Sequence, residues 1–157
     1  MKLRKFQDRD VNVFCEWLDK PYIAKWYYPK NEWIEEIEKR ETDYSFVTHF
    51  IVEEDEKIIG FCQYYDYKMG GENWHGDWPV EGTYSIDYLI GNDAYLGKGN
   101  GPVIVKLLTD EINKNTDAKL IIVQPESGNE KSRKTLLSAG YQYDEKNDLF
   151  FYHLGTE

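Results

Sequence analysis

Two cysteines, Cys15 and Cys62, are all that 157 residues contain, and neither a C-x-x-C pair nor a cluster of the three histidines accompanies them. A disulfide framework and a structural zinc site are therefore poorly supported, and no metal is expected. No window approaches the run of about 20 apolar residues that crosses a bilayer. The stretch Met1-Lys2-Leu3-Arg4-Lys5-Phe6-Gln7-Asp8 meets charge before any apolar run develops, unlike a secretory leader. Positive charge is scarce too: Lys and Arg total 19 against 29 Asp and Glu, a net charge of −10. Such a surface repels phosphate backbones and anionic membranes, which argues against both as partners. A soluble, cytoplasmic protein with one domain over residues 1–157 is the expectation.

Aromatics are plentiful. They make up 16% of the chain, with 13 Tyr and 5 Trp, and hydrophobic residues make up 41%. That excludes disorder, and so many polar-tipped rings suit a lined cleft as well as a packed core. The excess of carboxylates suits a cationic small molecule, and it equally serves solubility.

Leu3 to Phe6 reads as a first strand. Val11, Phe14, Cys15, Trp17 and Leu18 then recur at helical spacing until Pro21 stops them. Residues 22–29 are aromatic without a period, which predicts a loop. A second helix starts near Asn31, a fair N-cap, and carries Trp33, Ile34 and Ile37. Residues 46–52 and 58–67 are β-branched and aromatic runs joined by the charged connection 53–57. Residues 68–82, with Trp74 and Trp78, form a long loop. The strongest strand is Thr83–Ile90, with Tyr84, Ile86, Tyr88 and Ile90 on one face and Ser85, Asp87 and Leu89 on the other. Ile104, Leu107, Leu108 and Ile112 mark an amphipathic helix, and Leu120–Val123 is a short strand cut by Pro125. Ser127-x-x-Glu130 has the capping-box pattern of a last helix, which Gly140 closes before a terminal strand pair. This order predicts one mixed α/β domain.

The turn after Thr83–Ile90 carries the sharpest signal. Gly97-Lys98-Gly99-Asn100-Gly101 places three glycines at alternate positions between an apolar strand and a helix. Glycine permits φ > 0 and close backbone approach, so successive N–H groups converge on one point, and the helix adds its positive end. A Walker A loop requires Ser or Thr after Gly-Lys, and a dinucleotide fingerprint requires G-x-G-x-x-G; neither is present. A pyrophosphate cradle of another type remains, against a plain mobile turn. Asp87 is the second signal. Aspartate is disfavoured mid-strand, and a buried carboxylate needs partners or shifts its pKa upward.

With Asn129-Glu130-Lys131-Ser132-Arg133 and Ala139-Gly140-Tyr141, the glycine turn resembles the GNAT acetyltransferase superfamily. Glu16-Trp17-Leu18, Trp26, Ile59-Gly60, Ile86-Asp87 and the Leu96–Gly101 stretch are most similar to the aminoglycoside 6′-N-acetyltransferases within it. The resemblance implies an α+β fold with a central mixed, mostly antiparallel sheet flanked by helices. It implies acetyl-CoA as co-substrate, its pyrophosphate on the amides of Gly97, Lys98, Gly99, Asn100 and Gly101. The pantetheine arm would run beside Leu89 and Ile90, with Asn129 and Ser132 on its far side. Asp87 would accept the proton of a substrate amine, which cannot attack until it loses that proton. Trp26, Glu72 and Trp74 would form the substrate pocket, with Gln124 where some relatives carry a carboxylate.

Two departures stand out. Leu96 replaces a common Gln or Arg of the cofactor motif, and Leu136 replaces the Tyr that protonates the departing thiolate, so no general acid is assigned. Acceptors other than an aminoglycoside 6′-amine stay open: a polyamine, a siderophore precursor or a protein amine. So does an acyl-CoA-binding module without catalysis. Either a monomer or a homodimer is compatible with the sequence.

Overall fold

Alternation along Thr83–Ile90 produces β4, the middle strand of the sheet in the computed structural model. The structure describes residues 1–155, so the last two residues of the expected domain lie outside the described residues. Seven strands run in the order β1-β2-β3-β4-β5-β7-β6: β1 (Lys2–Lys5), β2 (Val47–Glu54), β3 (Lys57–Asp66), β4, β5 (Leu120–Val123), β6 (Gln142–Asp144) and β7 (Leu149–His153). Only β4 and β5 pair in parallel; every other neighbouring pair is antiparallel. This is the mixed, mostly antiparallel sheet that the resemblance implies.

Side-chain alternation on β4 divides the interior. Tyr84, Ile86, Tyr88 and Ile90 pack on the face covered by α5 (Asn100–Asn115) and α6 (Glu130–Ser138). There Ile104, Val105, Leu108 and Ile112 are completely buried, each contributing roughly 1.5–3 kcal/mol of burial energy. Leu89 points to the other face, against Phe14, Trp17 and Ile37 of α1 (Val11–Leu18) and α3 (Lys30–Glu38). A third cluster gathers Trp74, Trp78 and Tyr67 over Leu120, Ile122 and Leu149. The long loop is therefore tied down by its tryptophans, and Trp78 Nε1 donates to Asp144 Oδ2 at 2.8 Å.

Several local expectations are corrected. Pro21 does not merely end α1. It opens α2 (Pro21–Ala24), where a fixed φ and a missing N–H suit the first helical turn. α3 starts at Lys30 after Pro29, so Asn31 sits inside the first turn rather than capping it. The β2–β3 connection shrinks to Asp55 and Glu56, both at positive φ, the tight turn whose twist matches a hairpin. Residues 67–70 form a single helical turn, α4 (Tyr67–Gly70). Ser127 does not cap α6. The Asn129 side chain does, accepting from the Ser132 N–H at 3.2 Å, which leaves its amide NH2 free to donate.

Candidate active site

β4 and β5 are in register only at Thr83↔Leu120 and Tyr84↔Ile121. Beyond that point the strands part, and a cleft of about 320 Å³ opens on the edge of β4. Its walls include Tyr88, Leu89 and Ile90 on one side, Ser132 and Thr135 of α6 with its cap Asn129 on the other, and Gly97, Gly99, Asn100 and Gly101 at one end. Among the expected cofactor residues, only Lys98 is not part of the wall; it stands exposed.

The end wall is made of backbone. Gly97 and Gly99 adopt φ of +70° and +77°, and a Cβ at either would meet nothing. Backbone conformation, not crowding, is what requires glycine there. Gly99 is the N-cap of α5 and offers no side chain to the helix, so the first amides of a 16-residue helix face the cleft without an internal acceptor. Uncapped amides and the helix dipole together favour an anion. Asn100 fixes the turn from within, donating from Nδ2 to the Tyr95 carbonyl at 3.0 Å.

The parted edge of β4 is not left bare. The Tyr22 hydroxyl donates to the Ile90 carbonyl at 2.7 Å. The Tyr27 hydroxyl donates to the Tyr88 carbonyl and accepts from the Tyr88 N–H. Main-chain groups of Tyr88 and Ile90 therefore face the cleft. Leu89 turns its carbonyl the other way, toward Gly60 of β3, and lines the cleft without offering that group. Sequence reasoning read residues 22–29 as an aromatic loop. Nothing in the pattern says that two of its hydroxyls serve a strand edge far along the chain.

On the opposite side of β4 lies a second pocket, of about 210 Å³, lined by Asp87, Glu36, Glu72, Gln63, Tyr65, Trp33, Tyr44, Phe46, Val47 and Gly70. Three carboxylates meet there, and among the described residues no Lys or Arg is part of its walls. Asp87 is half-buried, and Gln63, its cross-strand partner on β3, donates from Nε2 to Asp87 Oδ2 at 2.9 Å. Burial pushes the Asp87 carboxyl up to about 6; the Gln63 hydrogen bond opposes this and the Glu72 charge adds to it. Glu36 rises further, to about 7, first through burial and then through the charges of Asp87 and Glu72. Tyr65 donates to Glu72 Oε1 at 2.6 Å. The remaining amide atom of Gln63, Oε1, is buried with no partner among the described residues.

Of the four expected substrate residues, only Glu72 lines this pocket. Trp26 lines the cleft instead. Trp74 packs edge-on against Tyr67 in the third cluster, and Gln124 is exposed beyond β5, donating to the Asp148 carbonyl at 2.9 Å. Glu36, Gln63, Tyr65 and Trp33 were not anticipated. Two weak signals existed: Glu36 stands three residues from Trp33 on one helical face, and Gln63 interrupts an apolar strand. Their convergence on Asp87 depends on the β3–β4 register and on where α3 lies, which spacing does not reveal.

Together the pieces can hold an anionic, extended ligand in the cleft and a cation in the pocket. β4 lies between them, and Asp87 lines the pocket.

Comparison with known proteins gives a consistent picture. Residues 7–149 match the family model described as an acetyltransferase (GNAT) domain. The aminoglycoside N(6′)-acetyltransferases type 1 of Klebsiella pneumoniae and Serratia marcescens are each 23% identical over 150 residues, covering 89% of this chain and 73% of theirs. Among solved structures, an aminoglycoside acetyltransferase in complex with coenzyme A and kanamycin superposes with a TM-score of 0.81 at 21% identity, over 97% of this chain and 94% of that one. Spermidine N-acetyltransferase from Vibrio cholerae, in complex with coenzyme A and spermine, gives 0.71 at 16% identity, over 91% and 81%. At such identities these two likenesses speak for the fold.

Proposed function

Because the chain belongs to the GNAT acetyltransferase family, we propose that it transfers an acetyl group from acetyl-CoA to a primary amine of a polycationic small molecule, with an aminoglycoside 6′-amine as the preferred acceptor. The observation that carries this reading is the pocket of three carboxylates without a cation, back to back with a cleft that ends in uncapped helix amides. Coenzyme A fits the cleft by chemistry. Its pyrophosphate suits the amides of Gly97 to Gly101, and its amide-bearing arm suits the main-chain groups of Tyr88 and Ile90 and the free NH2 of Asn129. Adding it requires the Tyr22 and Tyr27 hydroxyls to yield those groups.

Asp87, Glu36 and Glu72 draw the ammonium in, and the unpartnered Gln63 Oε1 accepts one of its N–H bonds. A carboxylate with a pKa near 6 is ionised at neutral pH yet basic enough to take the proton that blocks attack. The freed amine attacks the thioester carbonyl directly, and the Tyr88 N–H is available to the oxygen on which charge develops.

A second reading, a linear polyamine acceptor, is favoured by the modest volume of the acidic pocket. One assay separates them: thiol release from acetyl-CoA with aminoglycosides bearing or lacking a 6′-amine, with polyamines, and with lysine peptides. Preference for the 6′-amino compounds is expected. A larger kcat/KM for spermidine selects the second reading, and thiol release with none of them overturns both.

A further inference from the structure

Leu136, where the resemblance places a thiolate acid, is completely buried. The cleft has other hydroxyls, and their partners distinguish them. Tyr22 and Tyr27 spend their protons on main-chain carbonyls of β4. Tyr88 makes no such bond to β4. Its hydroxyl lies 2.6 Å from Ser132 Oγ, where either oxygen can be the donor, and reaches the Ser132 carbonyl only at 3.5 Å. With Ser132 Oγ donating to the phenol oxygen, the Tyr88 O–H gives up only that long contact to point into the cleft both residues line. Strand alternation supplies the rest. Asp87 and Tyr88 are consecutive on β4, so one side chain faces the acidic pocket and the other the cleft, with the strand edge between them.

We propose that the Tyr88 hydroxyl, oriented by Ser132, donates a hydrogen bond to the sulfur of the departing coenzyme A. This rests on the acetyltransferase reading above. As the amine nitrogen bonds to the carbonyl carbon, the C–S bond breaks and the sulfur keeps the electron pair. Tyr88 stabilises that charge without giving up its proton; burial raises the phenol well above its ordinary range, and a free thiol near 8.5 is the stronger acid. The thiolate leaves and takes a proton from water, while the proton left on nitrogen passes to solvent, Asp87 already holding the one removed before attack. Tyr88 is thus a catalytic residue and Ser132 a positioning one.

The test is Tyr88→Phe, with Ser132→Ala beside it, read in two ways. A hydrogen bond to a charged atom is worth about 10- to 100-fold in rate, so Tyr88→Phe is expected to lose that much kcat with both KM values within about twofold. In the binary complex, the thiol of bound coenzyme A, titrated by thiolate absorbance, is expected to ionise at higher pH in Tyr88→Phe than in the unaltered protein, with Ser132→Ala between them. Unchanged thiol titration in both variants, or unchanged kcat in both, overturns the proposal. If Tyr88→Phe does not fold, Ser132→Ala carries the same two readouts. A protein that acetylates no amine yet shows the thiol shift sinks the acceptor reading alone. Failure to bind coenzyme A sinks both.

Discussion

The cleft and the acidic pocket share β4 as a common wall, and they are made of different materials. Glycine conformation, a helix end and a strand edge build one end and one side of the cleft, main-chain features of a single contiguous stretch, and side chains of α6 and of residues 22–27 complete it. Side chains from α3, the segment before β2, β3, the loop after α4 and β4 build the pocket, and no two of those segments dictate each other locally.

If that division is right, damage to one side should leave the other intact. The largest effect belongs to Asp87→Asn. Loss of the proposed base is expected to lower kcat/KM by about 10²- to 10⁴-fold, while coenzyme A affinity by calorimetry stays within about twofold. The unaltered enzyme should gain kcat/KM as pH rises through about 6, and the variant should lack that limb. A variant that loses coenzyme A binding to the same degree would mean the two sites are not separate.

The complementary break is Gly99→Val. A β-branched residue at φ +77° is strained whatever the space around it, so the turn that aims the α5 amides must distort. Coenzyme A affinity is expected to weaken at least about tenfold, and amine affinity measured without coenzyme A to hold. Equal weakening of both ligands would tie the pocket to the turn.

A smaller effect separates charge from shape inside the pocket. Glu36 and Asp87 both titrate above their ordinary values, so the folded chain holds those protons more tightly than the unfolded one. The stability this lends is complete below about pH 4 and is lost as pH rises through 6 to 7. Glu36→Gln escapes its share of the loss. Its advantage over the unaltered protein in urea titrations is expected to grow between pH 4.5 and 8, to about 1–3 kcal/mol, while KM for a polycation rises severalfold. An advantage independent of pH would mean that Glu36 is not buried among like charges.

The same contrast explains what the sequence revealed. The sheet, the long helix α5, the glycine turn and Asp87 were legible, because periodicity and the Gly97, Gly99, Gly101 spacing are local properties. Caps and short turns slipped by a residue or two: Asn129 rather than Ser127 caps α6, since both residue types bond the same amides and only the chain's path decides between them. The pocket was legible only at Asp87 and Glu72. Nothing in the sequence singles out Glu36 among the carboxylates of its helix, and the pairing of Gln63 with Asp87 is a matter of register. Trp74, which the resemblance puts in the substrate pocket, instead holds its own loop to the sheet.

The smallest expected effect is at Gln124, and it tests where the pocket ends. Its amide donates to the Asp148 carbonyl on the surface beyond β5, and truncation exposes that carbonyl to water, which replaces the bond. Gln124→Ala should therefore change the amine KM by less than about twofold. Glu72→Gln, inside the pocket and bonded by Tyr65, should raise it severalfold, with the greater rise for acceptors carrying more ammonium groups. Should Gln124→Ala raise KM more than Glu72→Gln, the acceptor must reach from Asp87 past the end of β5. The three carboxylates would then grip one end of a longer molecule, and a linear or multi-ring polycation would follow from the length of that reach.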